Sequence, residues 1–229
     1  MGFKLEADMV APVQSWLAQQ VSYVKTEFRT PWGYCDLVGC SLNLRQVRKR
    51  VRLGQCKSIG SLEKVDLLWQ IPDEDTGEFI PLGRLAARYS PWLDYERVAS
   101  LVGSLEKKKF VIRDRNGCIQ KRNGWFPLHK RLIAIELKLT RVEESMWQAL
   151  RHLAYADESY IALPLPLARK VCRSLRGQEL RATGLGLLGV SKNQTRVLIR
   201  STGTTDKDPV LQAHCVERFW IFHIKDSSA

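Results

Sequence analysis

The chain has 229 residues, 45% of them hydrophobic, so it can bury a substantial core without disulfides or a structural metal. Its net charge is +12 and its pI is near 9.6. This excess of positive charge favours a polyanion such as nucleic acid as the partner, over an acidic protein or a neutral metabolite. A basic surface without a partner is the alternative.

The six cysteines are interpreted as reduced core residues. No pair is spaced as Cys-x-x-Cys, and Cys35 and Cys40 have no suitably spaced histidine, so a zinc site is the less favoured reading. No apolar run approaches the ~18 residues of a membrane span, and no basic-then-apolar leader begins the chain. We therefore expect a cytoplasmic protein that does not enter the membrane.

The first 40 residues predict one helix and two strands. The helix is expected over about Ala7 to Gln20. Residues 22–30 alternate as in a strand, with Glu27 on the polar side. A short apolar strand bounded by glycines follows over 33–39, and Asp36 lies at its centre. Two hairpin-like strands therefore each carry an acidic residue.

Residues 41–130 have their own organisation. A basic helix-like stretch precedes a helix over 61–71, a second helix over 82–89 and a third that Pro91 opens. A strand then turns at Asn116-Gly117, which is the strongest short hairpin signal. Three helices followed by a two-stranded hairpin resemble a winged helix-turn-helix domain.

Positive charge is concentrated in this segment. Residues 41–131 hold 19 Lys and Arg against 10 Asp and Glu, so they carry +9 of the total +12. Such density suits phosphate neutralisation, although a winged helix can also dock a protein. Trp92 and Tyr95 are read as core aromatics rather than DNA contacts. The predicted DNA-binding residues are Arg45, Arg48, Lys49, Arg50, Arg52, Arg113, Arg115, Lys121 and Arg122.

A Glu-x-Lys pattern lies inside the apolar run 132–139. The period of a strand puts Glu136 and Lys138 on one face, and two charges on a core strand are costly unless a site uses them. An ion pair at the strand end is the structural alternative. The second copy of the pattern, Glu106-Lys107-Lys108, has the character of a solvated helix face. If the strands bring Glu27, Asp36 and Glu136 together, their oxygens suit Mg²⁺ or Mn²⁺.

The rest of the chain alternates helices and strands. A helix is expected over 143–156, with Gln148, His152 and Tyr155 away from its apolar stripe. His129 and His152 are interpreted as hydrogen-bonded structural residues. The further elements predicted are a strand over 159–164, a basic helix over 166–181, strands over 185–190 and 195–200, and a helix over 209–223.

The order of helix, acidic strand, Asp-Leu-Val strand and Ile-Glu-Leu-Lys strand resembles the PD-(D/E)XK nuclease superfamily. The resemblance implies an α/β restriction-endonuclease-like fold, a mixed central sheet flanked by helices. Asp36 lies 100 residues before Glu136, whereas a simple member separates the two by a short hairpin. It also follows Cys35 rather than proline. The expected domains are therefore a discontinuous core, 1–40 with 131–229, and a winged-helix insert over 41–130.

The same resemblance implies a Mg²⁺-dependent (or Mn²⁺-dependent) DNA endonuclease. Asp36, Glu136 and the carbonyl of Leu137 would bind the metal, and Lys138 would orient the attacking water or stabilise charge. Gln148 and Arg141 would position the phosphate, and Glu27 is the further acidic candidate. The expected products carry 5′-phosphate and 3′-hydroxyl ends. The alternative is a non-catalytic DNA-binding regulator or assembly subunit on a nuclease-like scaffold; a homodimer or a larger DNA-processing assembly stays open.

Overall fold

The computed structural model describes residues 3–122 and 126–226. Its helices are α1 (Val10–Ala18), α2 (Leu44–Arg52), α3 (Leu62–Gln70), α4 (Leu82–Ala87), α5 (Tyr95–Lys107), α6 (Val142–His152), α7 (Leu165–Cys172), α8 (Leu175–Ala182) and α9 (Pro209–Asp226). Its strands are β1 (Tyr23–Thr30), β2 (Gly33–Leu42), β3 (Val111–Arg113), β4 (Ile119–Lys121), β5 (His129–Leu137), β6 (Glu158–Pro164), β7 (Gly186–Ser191) and β8 (Gln194–Ile199).

The described chain divides into two compact units. The first takes the residues up to 42 together with 129–212, and the second takes 43–128 with the residues from 213 onward. Residues from 213 onward were expected in the core with 131–212, but they belong to the second unit. No helix in the described ranges is both long and apolar enough to span a membrane.

The first unit is an α/β fold built on a mixed six-stranded sheet. The strand order is β1-β2-β5-β6-β7-β8. The pairs β1–β2, β2–β5 and β7–β8 are antiparallel, whereas β5–β6 and β6–β7 are parallel. Because parallel neighbours need a crossover, α6 connects β5 to β6 and the pair α7–α8 connects β6 to β7.

Helices cover both faces of this sheet. Along β6, Tyr160 and Ala162 belong to the hydrophobic cluster that includes α1, whereas Ile161 and Leu163 belong to the cluster formed with α6, α7 and α8. This alternation is expected of a strand buried on both sides. At Gly39 an added Cβ would lie 2.8 Å from Leu17, so glycine permits the close approach of α1 to β2.

The hairpin β1–β2 is irregular at the level of Asp36. Its ladder pairs Thr26 with Leu37 and Phe28 with Cys35, and Glu27 between them has a φ of +48°. A non-glycine residue in this left-handed region marks a local distortion of the strand. The distortion occurs where the sequence placed its acidic residues.

The second unit contains α2 to α5, the hairpin β3–β4 and the part of α9 from residue 213. Helix α5 begins at Tyr95 rather than at the predicted Pro91, because Asp94 caps it by accepting from the Arg97 N–H at 2.7 Å. The hairpin turns at the predicted Asn116-Gly117, and Ile80 forms an isolated antiparallel bridge with Ile119.

The basic segment after β6 forms two helices instead of the one predicted. The sequence predicted a single helix over 166–181, but the structure ends α7 at Cys172 and starts α8 at Leu175. The two helices meet closely, because a Cβ on Gly177 would lie 2.5 Å from the carbonyl oxygen of Cys172. The break between the two helices lets α8 pack beside α7. As a result, Leu180 of α8 joins the same core cluster as Ala168 of α7.

Candidate functional site

Asp36 on β2 and Glu136 on β5 lie side by side, just beyond the last pair of the β2–β5 ladder. Leu37 on β2 pairs with Ile135 on β5, so the next residue of each strand beyond this pair is Asp36 and Glu136 respectively. The Oδ2 of Asp36 accepts a hydrogen bond of 2.6 Å from the backbone N–H of Leu137. The structure thus brings together three of the predicted metal-binding residues.

The carboxyl of Asp36 is hard to ionise. Burial raises its pKa to about 6, and the negative charge of Glu136 adds to this effect. The hydrogen bond from Leu137 and the positive charge of Lys138 act in the opposite direction. A cation at this position would remove the repulsion between the two carboxylates.

Glu136 is tied to helix α6 by a histidine. Its side chain is 2% exposed, and its Oε1 lies 2.5 Å from Nε2 of His152. The hydroxyl of Tyr155 lies 3.2 Å from Nδ1 of the same ring. If the hydroxyl donates to Nδ1, the Nε2–H is left to donate to Glu136, so every group is satisfied.

Cys35 is the fourth member of this cluster, and the sequence analysis assigned it only a core role. The ligand atoms of Cys35, Glu136 and His152 all lie within 4.8 Å of one another, and all three residues are buried. Burial raises the pKa of the Cys35 thiol well above its ordinary value, and Glu136 raises it further. The thiol donates to the carbonyl oxygens of Leu37 at 3.4 Å and Ile135 at 3.5 Å.

A small cavity of about 40 Å³ opens beside this cluster. Glu136, His152 and Gln148 line it, and the Oε1 of Gln148 is buried with no hydrogen-bond partner among the residues that the structure describes. The exposed aromatic rings of Trp32 and Tyr34 line it as well. Thr30 and Arg151 complete the lining, and the Arg151 guanidinium lies 5.5 Å from the centre of the Trp32 ring.

Lys138 is held by two acidic residues that the sequence analysis did not consider. Its side chain is almost buried, and its Nζ lies 3.7 Å from Glu6 and 3.8 Å from Glu144. Glu144 also pairs with the exposed Arg141 at 2.7 Å. Lys138 therefore acts on Asp36 through its charge while its ammonium is oriented by the carboxylates around it.

Glu27 lies on β1 opposite Asp36, between the pairs Thr26–Leu37 and Phe28–Cys35. It is exposed and has the left-handed conformation described above. Its position on a strand was predicted correctly, and its role as a further acidic ligand stays a prediction.

Two of the predicted DNA-binding residues are buried, and their assignment is corrected. Arg50 is fully buried: its guanidinium pairs with Glu217 on α9 and stacks 4.0 Å from the centre of the Trp220 ring. Lys121 is 8% exposed and lies 3.7 Å from Asp73, and burial lowers its pKa. Neither side chain presents its charge to a phosphate.

The remaining predicted DNA-binding residues differ in whether an acidic side chain pairs with them. Arg113 pairs with Glu106 at 2.9 Å, and Arg122 lies 3.7 Å from Glu74. The other five predicted residues are exposed: Arg45, Arg48, Lys49, Arg52 and Arg115. Four of these five lie on α2, so that helix carries the densest exposed positive charge among the predicted residues.

The interpretation of Trp92 and Tyr95 as core aromatics is wrong. Trp92 is 84% exposed and Tyr95 is about half exposed. Both lie at or just before the start of α5, whose buried face is formed instead by Val98, Leu101, Val102 and Leu105.

Comparisons of the chain with protein-family models, with curated proteins and with solved structures find no match.

Proposed function

We propose that this chain is a metal-dependent DNA endonuclease of the PD-(D/E)XK type. The observation that carries the proposal is the position of Asp36 and Glu136 side by side on neighbouring strands, with the charge of Lys138 acting on Asp36. The topology supports it: an antiparallel hairpin, a third strand carrying Glu-x-Lys and a helical crossover to a parallel strand have the order expected of a restriction-endonuclease-like core.

The donor set fits a hard divalent cation. Two carboxylates and a backbone carbonyl are oxygen ligands of the kind that Mg²⁺ and Mn²⁺ prefer, so Asp36, Glu136 and the carbonyl of Leu137 would hold the ion. Such an ion lowers the pKa of an attacking water and neutralises charge that develops on the phosphate. The raised pKa of Asp36, which is caused first by burial and then by the charge of Glu136, is compatible with this assignment, because a bound cation would favour the ionised carboxylate.

The surrounding residues would bind and orient the substrate. Lys138, steadied by Glu6 and Glu144, would stabilise charge on the scissile phosphate. Gln148 has an unmatched amide oxygen beside the cavity and would orient a water there. The exposed rings of Trp32 and Tyr34 would stack on bases of the strand being cut.

The second unit would supply most of the DNA affinity. Helices α3, α4 and α5 followed by the hairpin β3–β4 have the order of a winged helix-turn-helix, and the bridge between Ile80 and Ile119 adds a third short strand contact. The exposed cations of α2 would neutralise phosphates without reading sequence.

A specific observation favours a second candidate, a non-catalytic DNA-binding regulator or assembly subunit. Glu136 is satisfied by His152, and Lys138 is satisfied by Glu6 and Glu144, without any substrate. An arrangement of this kind also suits a purely structural ion-pair network.

A cleavage assay distinguishes the two candidates. The protein is incubated with duplex, single-stranded and branched DNA in Mg²⁺ or Mn²⁺, and DNA binding is measured in parallel. Cleavage that chelation stops, and that Asp36→Asn removes without loss of DNA binding, supports the nuclease. Binding of all substrates without cleavage by the wild-type protein supports the regulator.

A further inference from the structure

Three chemically different donor atoms meet in the interior of the first unit. Cys35 comes from β2, Glu136 from β5 and His152 from α6. Their Sγ, carboxylate oxygen and imidazole nitrogen all lie within 4.8 Å of one another, and the three residues are all buried. Three separate elements of the fold therefore converge on one point.

The spacing suits one small cation. A tetrahedral ion with bonds of about 2.0 Å to nitrogen or oxygen and about 2.3 Å to one sulfur separates its ligand atoms by roughly 3.3–3.5 Å. The 2.5 Å contact between Glu136 and His152 would open and the separations to Cys35 would be brought into this range by small side-chain rotations. Sulfur and imidazole together select borderline ions of the Zn²⁺ and Co²⁺ class over Mg²⁺.

The adjoining cavity supplies the remaining ligand position. Its volume of about 40 Å³ has room for a water molecule. Gln148 lines the same cavity and its Oε1 is a buried acceptor with no partner. A metal-bound water that donates to Gln148 would satisfy that oxygen, which is otherwise a costly buried group.

We propose that Cys35, Glu136 and His152 form a binding site for a borderline divalent cation, with a water facing Gln148 as the fourth ligand. The proposal goes beyond the nuclease assignment: it shares Glu136 with that site but does not require that the chain cuts DNA. A cation here would compete with a Mg²⁺ ion for Glu136.

Metal binding releases the thiol proton of Cys35 to solvent, because the thiolate is the ligand. His152 binds the ion through Nε2, so its ring proton moves to Nδ1. There it donates to the hydroxyl oxygen of Tyr155, which accepts instead of donating. One proton is released per ion bound.

The test uses the full chain and Co²⁺ as the spectroscopic probe. We expect one Co²⁺ per chain, tetrahedral d–d absorption in the visible range and a thiolate-to-metal charge-transfer band in the near ultraviolet. Zn²⁺ should displace the Co²⁺, whereas a large excess of Mg²⁺ should not.

Cys35→Ser should remove the charge-transfer band and weaken binding more than about tenfold, since even outer-shell partners change metal affinity by that factor. Cys40→Ser is the matched control, because Cys40 is also buried on β2 but is not part of the cluster. If Cys35→Ser does not fold, His152→Gln serves instead: it should keep the charge-transfer band but lose most affinity.

A wild-type protein without the charge-transfer band, or a band that persists at full affinity in Cys35→Ser, would overturn the proposal. DNA cleavage is not a readout of this experiment. Failure of the cation site and failure of the nuclease assignment are therefore distinguishable.

Discussion

At the scale of single residues, long-range contacts decide the roles of the charged side chains. Arg50 belongs to a run of basic residues that sequence reasoning treats as one surface, but its partner Glu217 lies 167 residues away in the chain. Likewise, His152 and Cys35 join the site because α6 and β2 bring them beside Glu136 on β5. Neither effect has a local sequence signature, whereas the pairing of Glu136 with Asp36 was predictable from strand spacing.

The Asp36 carboxyl makes the free energy of unfolding depend on pH. Its pKa rises from an ordinary 3.8 to about 6 on folding, so the folded state retains a proton that the unfolded state has lost between these values. Stability is therefore favoured at low pH and falls as pH rises from about 4 to about 6.

Asp36→Asn removes this penalty. With partial solvent screening allowed for, we expect it to stabilise the metal-free protein by about 1–2 kcal/mol at pH 8 and by much less at pH 4.5. Urea denaturation of both proteins in a chelator measures the difference at each pH. A difference independent of pH would show that this carboxyl does not titrate as described.

Arg50 should prove to be a stability residue. Arg50→Ala leaves Glu217 as an uncompensated buried charge, so we expect a loss of about 3–5 kcal/mol or failure to fold. Arg52→Ala, at an exposed position of the same helix, should change stability by less than about 0.5 kcal/mol. Thermal melts of the two variants check this; equal losses would contradict the buried role of Arg50.

At the scale of elements, periodicity predicted most helices and strands, and it failed where capping or packing sets the boundary. The alternation over 132–139 identified the central strand β5, and the Asn116-Gly117 turn identified the hairpin. The start of α5 depends on Asp94 rather than on Pro91. The break between α7 and α8 depends on the packing of the two helices against each other, which the pattern of basic residues over 166–181 does not indicate.

Helix α2 should account for much of the salt dependence of DNA binding. Replacing the exposed Arg45, Arg48 and Arg52 with Gln should lower the slope of log affinity against log salt by up to ~3, about one for each lost phosphate contact. The matched control replaces the exposed Arg169, Lys170 and Arg173 of the first unit. An unchanged slope in the α2 variant, or an equal change in the control, would place the DNA surface elsewhere.

At the scale of the whole molecule, the chain enters the second unit twice, at residue 43 and again at residue 213. Leu42 pairs directly with His129 in the sheet, so the two ends of segment 43–128 lie about one strand spacing apart. The residues from 213 onward return to the second unit, where Glu217 pairs with Arg50 and Trp220 packs against it. The charge and the turn signals of the sequence identified the inserted segment. The periodicity of 209–223 predicts a helix but does not indicate which unit that helix packs against.

This organisation predicts the outcome of two truncations. Replacing 44–128 with a short Gly/Ser linker and ending the chain at Gln212 should leave a folded first unit, because closing a short flexible loop costs little. The same replacement with 213–229 retained should aggregate, since the buried faces of Val216 and Trp220 lose their covering. Circular dichroism and gel filtration compare them; an unfolded shorter protein would mean that the two units share a core.

We propose above that Asp36, Glu136 and Lys138 form one metal-dependent catalytic site. This is tested by cleavage of labelled DNA by the wild-type protein, Glu136→Gln and Lys138→Met, with Mn²⁺ binding followed by calorimetry. We expect both variants to lose cleavage by at least about a hundredfold, Glu136→Gln also to lose Mn²⁺ affinity and Lys138→Met largely to keep it. Cleavage by Glu136→Gln at the wild-type rate, or cleavage by the wild-type protein that persists in a chelator, would show that these residues do not form such a site.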